Sequence, residues 1–293
     1  MLLTGANGQL GQALNGSVPK GIQLISTSRK ELDLADPEAC QKSVEFYRPD
    51  WVLNAGAYTA VDKAESEPDL VKAVNADAPL AFAEALNGIG GRLLQVSTDF
   101  VFNGQQGYPY QPDQQRHPLG VYGSSKAAGE HAVEQVLGCG VDGRATILRT
   151  SWVYGPVGRN FLLTMLRLHR MKAEAGEPLC VVADQVGCPT ATSGLANACW
   201  TVIERAVGGI QHWSDAGAAT WYDFAVAIGE LAVATGRLSQ AAQVLPITTS
   251  DFPTPAKRPS YSILACRNTY EQLQLLPQHW RCALEEVIQR VDA

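Results

Sequence analysis

Strand-like apolar runs alternate with helix-like stretches across the first half of this 293-residue chain, and this alternation constrains the fold more than any other feature. After an apolar start at residues 1–3, strands are predicted at Ile22 to Ser26, Trp51 to Asn54, Arg92 to Ser97 and Ala145 to Leu148. Helices are predicted at Pro37 to Phe46, Leu70 to Leu86 and Ser124 to Val136. Nearly unbroken apolar strands separated by helices are typical of a parallel sheet covered on both faces. We therefore predict an α/β fold with a Rossmann-like, doubly wound parallel sheet.

A glycine-rich turn lies between the first strand and the first helix. Gly5, Gly8 and Gly11 are three residues apart, and the apolar pattern of a helix follows Gly8. Glycines let backbone amides approach a pyrophosphate, and the amino end of a helix favours negative charge. The spacing alone also fits a tight turn with close helix packing. Strand, turn and helix in this order favour a dinucleotide site.

The end of the second strand indicates which dinucleotide is bound. Sheets that bind NAD usually carry an acidic residue there, which holds the ribose hydroxyls. This chain has Ser28 and Arg29 instead, and a guanidinium pairs well with the 2′-phosphate of NADP. Arg29 and Lys30 also fit a solvated basic pair in a loop, and Asp33 and Leu34 are placed to flank the adenine. NADPH is the predicted cofactor, and acceptance of NADH is left open.

The alternation of strands and helices weakens after Gly155. Further helices are predicted at Phe161 to Arg170, Leu195 to Val207, Trp221 to Thr235 and Arg281 to Val291, between loops rich in proline and glycine. We predict that residues 1–155 form an NADP-binding Rossmann-like domain. Residues 156–293 are predicted to form mainly a smaller substrate-binding lobe over the carboxyl edge of the sheet, with some segments returning to the sheet.

A tyrosine and a lysine four residues apart begin the helix predicted near residue 124. This spacing puts Tyr122 and Lys126 on one helical face, so the ammonium is expected near the phenol and favours its ionisation. Upstream, Ser97 and Thr98 end a strand at the edge where ligands bind. Thr98 is predicted to hydrogen-bond a substrate carbonyl while Tyr122 protonates its oxygen. The alternative is that Ser97 and Thr98 only satisfy backbone groups at the strand end.

Composition excludes several other classes of protein. The net charge of −6 gives no general attraction to nucleic acid or to an anionic membrane. No apolar run has the ~18 residues that a membrane span needs, and we expect a cytoplasmic protein. The seven cysteines form no CxxC pair, so we expect free and mostly buried thiols. The five histidines are dispersed, and no metal site is predicted.

The sequence resembles the extended short-chain dehydrogenase/reductases over essentially its whole length, and among them it is similar to reductases of nucleotide-linked 4-ketosugars. The resemblance rests on LTGANGQLG (3–11), NAGAYTAVDKAE (54–65), NA (75–76), STDFVF (97–102), YGSSK (122–126), RTSWVY (149–154), DQVGCPT (184–190) and PTPAKRP (253–259). The TAVDKAE and RTSWVY stretches are far more specific than the glycines.

This resemblance implies a role for each matching residue. Thr98, Tyr122 and Lys126 would be catalytic. The dinucleotide would be lined by Gly5, Gly8, Gln9, Leu10, Asn54, Ala55, Ala57, Thr59, Tyr122 and Lys126. The deoxysugar would face Val61, Thr98, Asp99, Phe100, Trp152 and Asn160. Arg258 and residues 184–190 would frame the nucleotide end. From the residues alone, Trp152 also fits a core position and Arg258 a surface charge.

Two positions depart from the family pattern. Some members form dimers through magnesium held by glutamates, one of them in the first helix, where Ala13 stands here. A magnesium-bridged dimer is therefore not expected, and the chain is expected to be a monomer or a homodimer. The tyrosine that usually follows Ser-Thr-Asp is Phe100, which lacks the hydroxyl but keeps the ring, so activity is expected to remain.

The implied reaction is an NADPH-dependent reduction of a dTDP-linked 4-keto-6-deoxysugar. The C4 ketone of dTDP-4-dehydro-L-rhamnose would be reduced, giving dTDP-L-rhamnose. One alternative keeps an enzyme but changes the nucleotide-linked 4-ketosugar, or makes it an epimerase. The other alternative is a non-catalytic NADP-binding subunit, similar to the regulatory subunit of methionine adenosyltransferase. The presence of Thr98, Tyr122, Lys126 and Trp152 together favours the enzyme.

Overall fold

A computed structural model of the chain describes residues 1–140 and 142–291. Its strands are β1 (Leu2–Thr4), β2 (Ile25–Thr27), β3 (Trp51–Asn54), β4 (Arg92–Thr98), β5 (Ala145–Thr150), β6 (Val153–Tyr154), β7 (Leu179–Val182), β8 (Val186–Gly187), β9 (Thr190–Ala191), β10 (Gly209–His212), β11 (Ala219–Thr220) and β12 (Val244–Ile247). Its α-helices are α1 (Gln9–Asn15), α2 (Pro37–Tyr47), α3 (Val61–Ala64), α4 (Pro68–Lys72), α5 (Ala78–Ile89), α6 (Val121–Leu137), α7 (Phe161–Ala175), α8 (Thr192–Glu204), α9 (Trp221–Ala234), α10 (Arg267–Leu273) and α11 (Trp280–Gln289).

Six parallel strands form the main sheet in the order β2-β1-β3-β4-β5-β10. The chain runs from β1 to β2 on one side and then returns to β3 on the other side of β1. Such a reversal opens a crevice at the carboxyl ends of the two central strands, where ligands of doubly wound sheets bind. The predicted α/β fold with a Rossmann-like sheet is confirmed.

Successive residues of β1 face opposite sides of the sheet, as a strand requires. Leu2 is fully buried in the core that α2 and α5 cover, with Phe82. Leu3 is fully buried on the other face, in the core that α1 and α8 cover, with Leu195. Burial on both faces explains why the strand is apolar throughout.

The second half of the chain builds a separate core from α7, α9 and α11. Its centre includes Leu162, Phe224 and Leu284, which are fully buried. The short sheets β12–β7, β11–β8 and β6–β9 also belong to this half or to its border. β10 leaves it and pairs with β5 in the main sheet. The domain boundary at residue 155 stays a prediction.

Two predicted elements differ from the structure. β2 is Ile25–Thr27 rather than Ile22 to Ser26, because Ile22 and Leu24 pack against the core under α1 and α8 instead of pairing in the sheet. The helix predicted from Leu70 to Leu86 is interrupted by a π-helical turn at Ala73–Asp77. Within that turn the Asn75 side chain accepts the Tyr58 N–H and donates to the Ser125 hydroxyl, so the widened turn ties α4 and α5 to α6.

The cysteines and the helices agree with two further expectations from the sequence. All seven cysteines are free, and Cys40, Cys188, Cys199 and Cys266 are buried. Among the helices of residues 1–140 and 142–291, none combines the length and the apolar character that crossing a bilayer would require.

Candidate active site

One groove along the carboxyl edge of the main sheet brings most of the predicted site residues together. Its volume is about 610 Å³. Its walls are Gly5, Asn7, Gly8, Gln9, Leu10, Arg29, Ala55, Gly56, Ala57, Thr59, Val61, Val96, Ser97, Thr98, Asp99, Phe100, Tyr122, Lys126, Thr150, Ser151, Trp152, Val153, Arg159, Trp221 and Arg258. The groove therefore runs from the end of β2, across β1 and β3, to the second half of the chain.

Backbone geometry explains the glycines of the first turn. Gly5 has a φ of 68°, which lies in the left-handed region that favours glycine. Its backbone also lies against Gly56, so an added Cβ would come within 2.7 Å of the Gly56 Cα. A Cβ on Gly11 would lie 2.2 Å from the Gly5 carbonyl oxygen. Gly11 thus serves close helix packing, while Gly5 and Gly8 line the groove.

The end of the groove near β2 continues into a second cavity of about 370 Å³, which Asp33 and Leu34 line together with Arg29. The Arg29 guanidinium lies 3.5 Å from the Asp33 carboxylate, and both side chains are well exposed. The Glu31 carboxylate turns back and accepts the Ser28 N–H at 2.6 Å. Sequence reasoning did not single out Glu31, which places a negative charge beside the predicted phosphate-binding residues.

Thr98 ends β4 and faces the Tyr122 phenol from α6. The Thr98 hydroxyl accepts the Phe100 N–H at 3.2 Å and lies 3.0 Å from the Asp99 carboxylate. Burial raises the pKa of Tyr122 to about 12, although hydrogen bonding with the Thr98 hydroxyl lowers it. The phenol is therefore protonated at neutral pH, as a proton donor must be.

Lys126 lies one turn further along α6, on the same face as Tyr122. Its ammonium donates to the Val96 carbonyl at 2.7 Å, and the residue is 3% exposed. Burial lowers the pKa of Lys126 to about 8, while the Glu130 carboxylate raises it. Burial is the main cause that shifts the pKa of Tyr122 in this structure, and the expectation that the Lys126 ammonium favours ionisation of the phenol stays a prediction.

The next turn of α6 carries a buried ion-pair network. Glu130 accepts hydrogen bonds from Arg149 of β5 at 2.7 to 3.1 Å and from Arg116 at 2.5 Å. Both Glu130 and Arg149 have fully buried side chains. Arg116 also donates to Glu134 at 2.6 Å. These contacts fasten the helix that carries Tyr122 to the sheet.

Asp99 is a buried carboxyl group in the groove wall. The residue is 2% exposed, and Oδ2 has no hydrogen-bond partner among the described residues. Burial raises the pKa of Asp99 to about 6, against the lowering effects of the nearby Ser262 and Thr98 hydroxyls. A carboxyl group with this pKa exchanges its proton near neutral pH.

Two stacked tryptophans form the wall at the second half of the chain. The rings of Trp152 and Trp221 are 3.5 Å apart at their centroids and nearly parallel. Trp152 has a φ of 47°, an uncommon and strained conformation for a large side chain. Sequence reasoning placed Trp152 at the sugar but missed Trp221, because that residue reads only as the first residue of α9 after the Thr220 capping box.

Arg258 joins the second half of the chain to the wall that follows β3. Its two terminal nitrogens bind the two carboxylate oxygens of Asp62 at 3.0 and 2.8 Å. Arg258 also lines the groove. Its role as a plain surface charge does not fit this geometry, because the side chain is only 24% exposed and paired at two points.

Two predicted residues lie behind the groove walls. Asn54 is 1% exposed, and its amide bonds to the Thr4 hydroxyl and to Gln95. Asn160 caps α7 through the Leu163 N–H and donates to Gln9 at 2.7 Å, so it connects the glycine turn to the second half of the chain. Asn160 thus supports Gln9 of the groove directly, and Asn54 supports Gly56 through Thr4, whose hydroxyl accepts the Gly56 N–H at 3.3 Å.

Residues that sequence reasoning missed complete the walls. Asn7, Gly56, Val96, Thr150, Ser151, Val153 and Arg159 line the groove beside the predicted residues and beside Ser97, which was noted at its strand end. They come from strand ends and loops that are brought together by the order of the strands in the sheet, which local sequence does not reveal.

Within residues 1–140 and 142–291, no group of three or more histidine, cysteine, aspartate or glutamate side chains is arranged to hold a metal ion.

Comparison with known proteins agrees with this geometry. The family model described as RmlD substrate binding domain matches residues 1–293. The spore coat polysaccharide biosynthesis protein SpsK of Bacillus subtilis is 38% identical over 290 residues, which cover 99% of this chain and 96% of that protein. A dTDP-4-dehydrorhamnose reductase of Burkholderia thailandensis is 39% identical over 299 residues, which cover 97% of this chain and 96% of that protein.

A solved structure extends the likeness to three dimensions. The crystal structure of dTDP-4-dehydrorhamnose reductase from Bacillus anthracis in complex with NADP has a TM-score of 0.89 and 33% identity, covering 99% of this chain and 98% of that chain. The resemblance predicted from the motifs is confirmed, and the chain belongs to the RmlD substrate binding domain family.

Proposed function

We propose that this chain reduces the C4 ketone of dTDP-4-dehydro-L-rhamnose with NADPH and so produces dTDP-L-rhamnose. The observation that carries the proposal is the single groove in which Thr98, Tyr122 and Lys126 lie beside the glycine turn. A proton donor, a hydroxyl that orients a carbonyl and a dinucleotide cradle are the parts that such a reduction needs. The names of the full-length relatives supply the sugar nucleotide.

The groove suits a dinucleotide by its volume of about 610 Å³ and by the groups along it. Arg29 stands at one end beside β2, and the Gly5–Gly8 turn and Lys126 also line the groove. Arg29 would hold a 2′-phosphate, and Lys126 would hold the ribose beside the nicotinamide. The Bacillus anthracis relative was crystallised with NADP, which supports the same cofactor here. When bound, NADPH supplies the hydride.

Residues of the chain would orient the ketone oxygen and protonate it. Thr98 would orient the carbonyl, and Tyr122 would give its phenolic proton to the oxygen as negative charge develops there. The pKa of Tyr122, raised by burial to about 12, keeps the proton available at neutral pH. The buried Lys126 cation would stabilise the phenolate that remains, since charges attract more strongly in a site that excludes water.

The far end of the groove would recognise the sugar nucleotide. Phe100 packs edge-on against Tyr122 at 5.6 Å and offers an apolar surface to the 6-deoxy methyl group. The Trp152–Trp221 stack would cover the sugar ring or the base. A diphosphate would compete with Asp62 for the Arg258 guanidinium.

The test is NADPH consumption, followed by absorbance, with dTDP-4-dehydro-L-rhamnose compared with GDP-linked and UDP-linked 4-ketosugars. Rapid consumption with the dTDP sugar alone is expected. Equal rates on all three sugars would leave a general ketosugar reductase, the first alternative. No consumption on any sugar, together with capture of a synthetase partner, would favour the non-catalytic NADP-binding subunit. NADH in place of NADPH tests the cofactor preference in the same assay.

A further inference from the structure

We propose that Asp99 and Thr98 form a proton relay that returns a proton to Tyr122 after each turnover. The inference rests on the proposed function, because Tyr122 loses its proton only if it acts as the donor in the reduction. It assigns Asp99 a part in proton transfer, beyond contact with the sugar.

The geometry places the three groups in sequence. Thr98 donates from Oγ1 to Asp99 Oδ1 at 3.0 Å, and its hydroxyl is near enough to the Tyr122 phenol, which lines the same groove, to lower the pKa of Tyr122. The second carboxyl oxygen of Asp99 is buried and unpartnered among the described residues, while the residue itself lines the groove. An unpartnered carboxyl oxygen of this kind is costly to bury, which points to a functional use.

The hydrogen-bonding capacity of Thr98 makes the relay directional. A hydroxyl has one proton and two lone pairs, and one lone pair already accepts the Phe100 N–H at 3.2 Å. An ionised Asp99 holds the Thr98 proton, which leaves none for Tyr122. A protonated Asp99 instead donates to Thr98 and frees the Thr98 proton for the Tyr122 phenolate.

The transfer balances in protons. Tyr122 gives its proton to the alkoxide at C4 and becomes a phenolate. Thr98 passes its hydroxyl proton to the phenolate oxygen as its own oxygen takes the proton of the Asp99 carboxyl group. Asp99 is left as a carboxylate and regains a proton from solvent through the groove. No oxidant or reductant takes part in these steps.

The surroundings of Asp99 suit this exchange. The groups that face its carboxyl are Thr98 from β4, Tyr122 from α6 and Ser262 from the segment before α10. None of them carries a permanent charge, and within the described residues Asp99 makes no ion pair that would hold it ionised. Burial raises the pKa of Asp99 to about 6, so both protonation states are accessible near neutral pH.

The experiment compares a single turnover with continuous turnover in Asp99→Asn. An amide still donates to Thr98 but passes on no proton. With enzyme in excess over sugar, every Tyr122 starts protonated, so stopped-flow oxidation of NADPH reports the loss of any sugar contact that Asp99 makes, without a need for the relay. Under continuous turnover the variant is expected to be slowed at least tenfold more than in the single turnover, relative to the wild type in each case. The wild-type steady-state rate should fall as pH rises above about 6, and the variant should lack this dependence.

A matched control is Asp215→Asn. Asp215 is 4% exposed, and burial raises its pKa to about 7, but it lies outside the groove and accepts the Ala191 N–H. The ratio of the single-turnover rate to the steady-state rate in Asp215→Asn should match that of the wild type. Equal slowing of both rates in Asp99→Asn, or no slowing, would overturn the relay. Absence of a single turnover in the wild type would instead overturn the proposed function and the relay with it.

Discussion

The two halves of α6 treat buried charge in opposite ways. Near its amino end, Lys126 is 3% exposed and makes no ion pair among the described residues, with only a carbonyl as its hydrogen-bond partner. One turn later, the equally buried Glu130 is enclosed by two guanidiniums, those of Arg149 and Arg116. The same helix therefore leaves charge uncompensated beside the groove and neutralises it behind the groove.

This difference separates function from stability along one helix. A buried charge without a counter-ion costs stability, but it retains its full field for a reacting group. A buried charge with two well-placed partners has its desolvation offset and is hard to remove. Changes near the amino end should therefore affect turnover first, and changes at Glu130 should affect folding first.

The largest expected effect is at Tyr122. Replacing it by Phe should lower kcat by roughly 10²–10⁴-fold, because the phenolic proton has no substitute in the groove. NADPH binding, measured by fluorescence titration, should be retained. Tyr154→Phe is the control, since that buried hydroxyl makes only a 3.5 Å contact with the Trp280 carbonyl in the other core. Full activity of the Tyr122 variant would refute the proposed proton donor.

The next effect is on folding. Glu130→Gln should lower the free energy of unfolding by about 3–5 kcal/mol, because it leaves the buried Arg149 without its counter-ion. Urea unfolding measures the loss. Glu134→Gln, on the same helix but with a 24% exposed side chain and one arginine partner, should cost less than about 1 kcal/mol. Equal losses in the two variants would show that the two halves of α6 do not differ.

Lys126→Met should have the opposite sign on stability. Burial lowers the pKa of Lys126 from 10.5 to about 8, so the charged form is disfavoured in the folded chain, and Met should raise stability at pH 7 by about 1–3 kcal/mol while activity is lost. Between about pH 8 and 10.5 the folded chain binds fewer protons than the unfolded chain, so wild-type stability gains with pH. The advantage of Met should therefore shrink across this range.

Thermal melts at several pH values measure that advantage. Lys72→Met is the control, because its side chain is 67% exposed and pairs at the surface with Asp77. A Lys126 variant that is less stable than the wild type at pH 7 would contradict the view that the amino end of α6 carries an uncompensated charge.

The smallest effect is expected at the exposed end of the groove. Arg29→Ala should weaken NADPH binding by about fivefold, since its guanidinium is largely solvated and already pairs with Asp33. NADH binding should be unchanged because NADH lacks the 2′-phosphate. Arg267→Ala, an exposed arginine paired with Glu271, is the control. An equal loss of affinity for NADPH and NADH would contradict the assigned contact between Arg29 and the 2′-phosphate.

Local sequence predicted the strands and helices whose own residue pattern is sufficient to identify them. The strand from Trp51 to Asn54 coincides with β3, because it is apolar on both faces and bounded by loops. The helix predicted from Ser124 to Val136 corresponds to α6, which begins three residues earlier and so includes Tyr122. The groove itself was predicted through family motifs, since Trp152 and Arg258 are more than a hundred residues apart in sequence.

Other features depend on contacts that no local pattern records. The Lys126 ammonium bonds to the Val96 carbonyl because α6 packs directly over β4. Trp221 enters the groove because α9 begins beside Trp152. The π-helical turn at Ala73–Asp77 is accompanied by hydrogen bonds from Asn75 to Tyr58 and to Ser125, which lie on other segments. In each case the partner lies on another element, and its approach is set by the packing of the whole sheet.

The tryptophan with the left-handed backbone also restricts how this chain can change over generations. A Cβ on Gly187 would lie 2.5 Å from the Trp152 ring, so the two positions cannot vary independently. A smaller residue at 152 must arise before any side chain is tolerated at 187. A chain that keeps the indole in this position therefore needs a glycine in β8, so the order in which the two positions are substituted matters as well as the final pair.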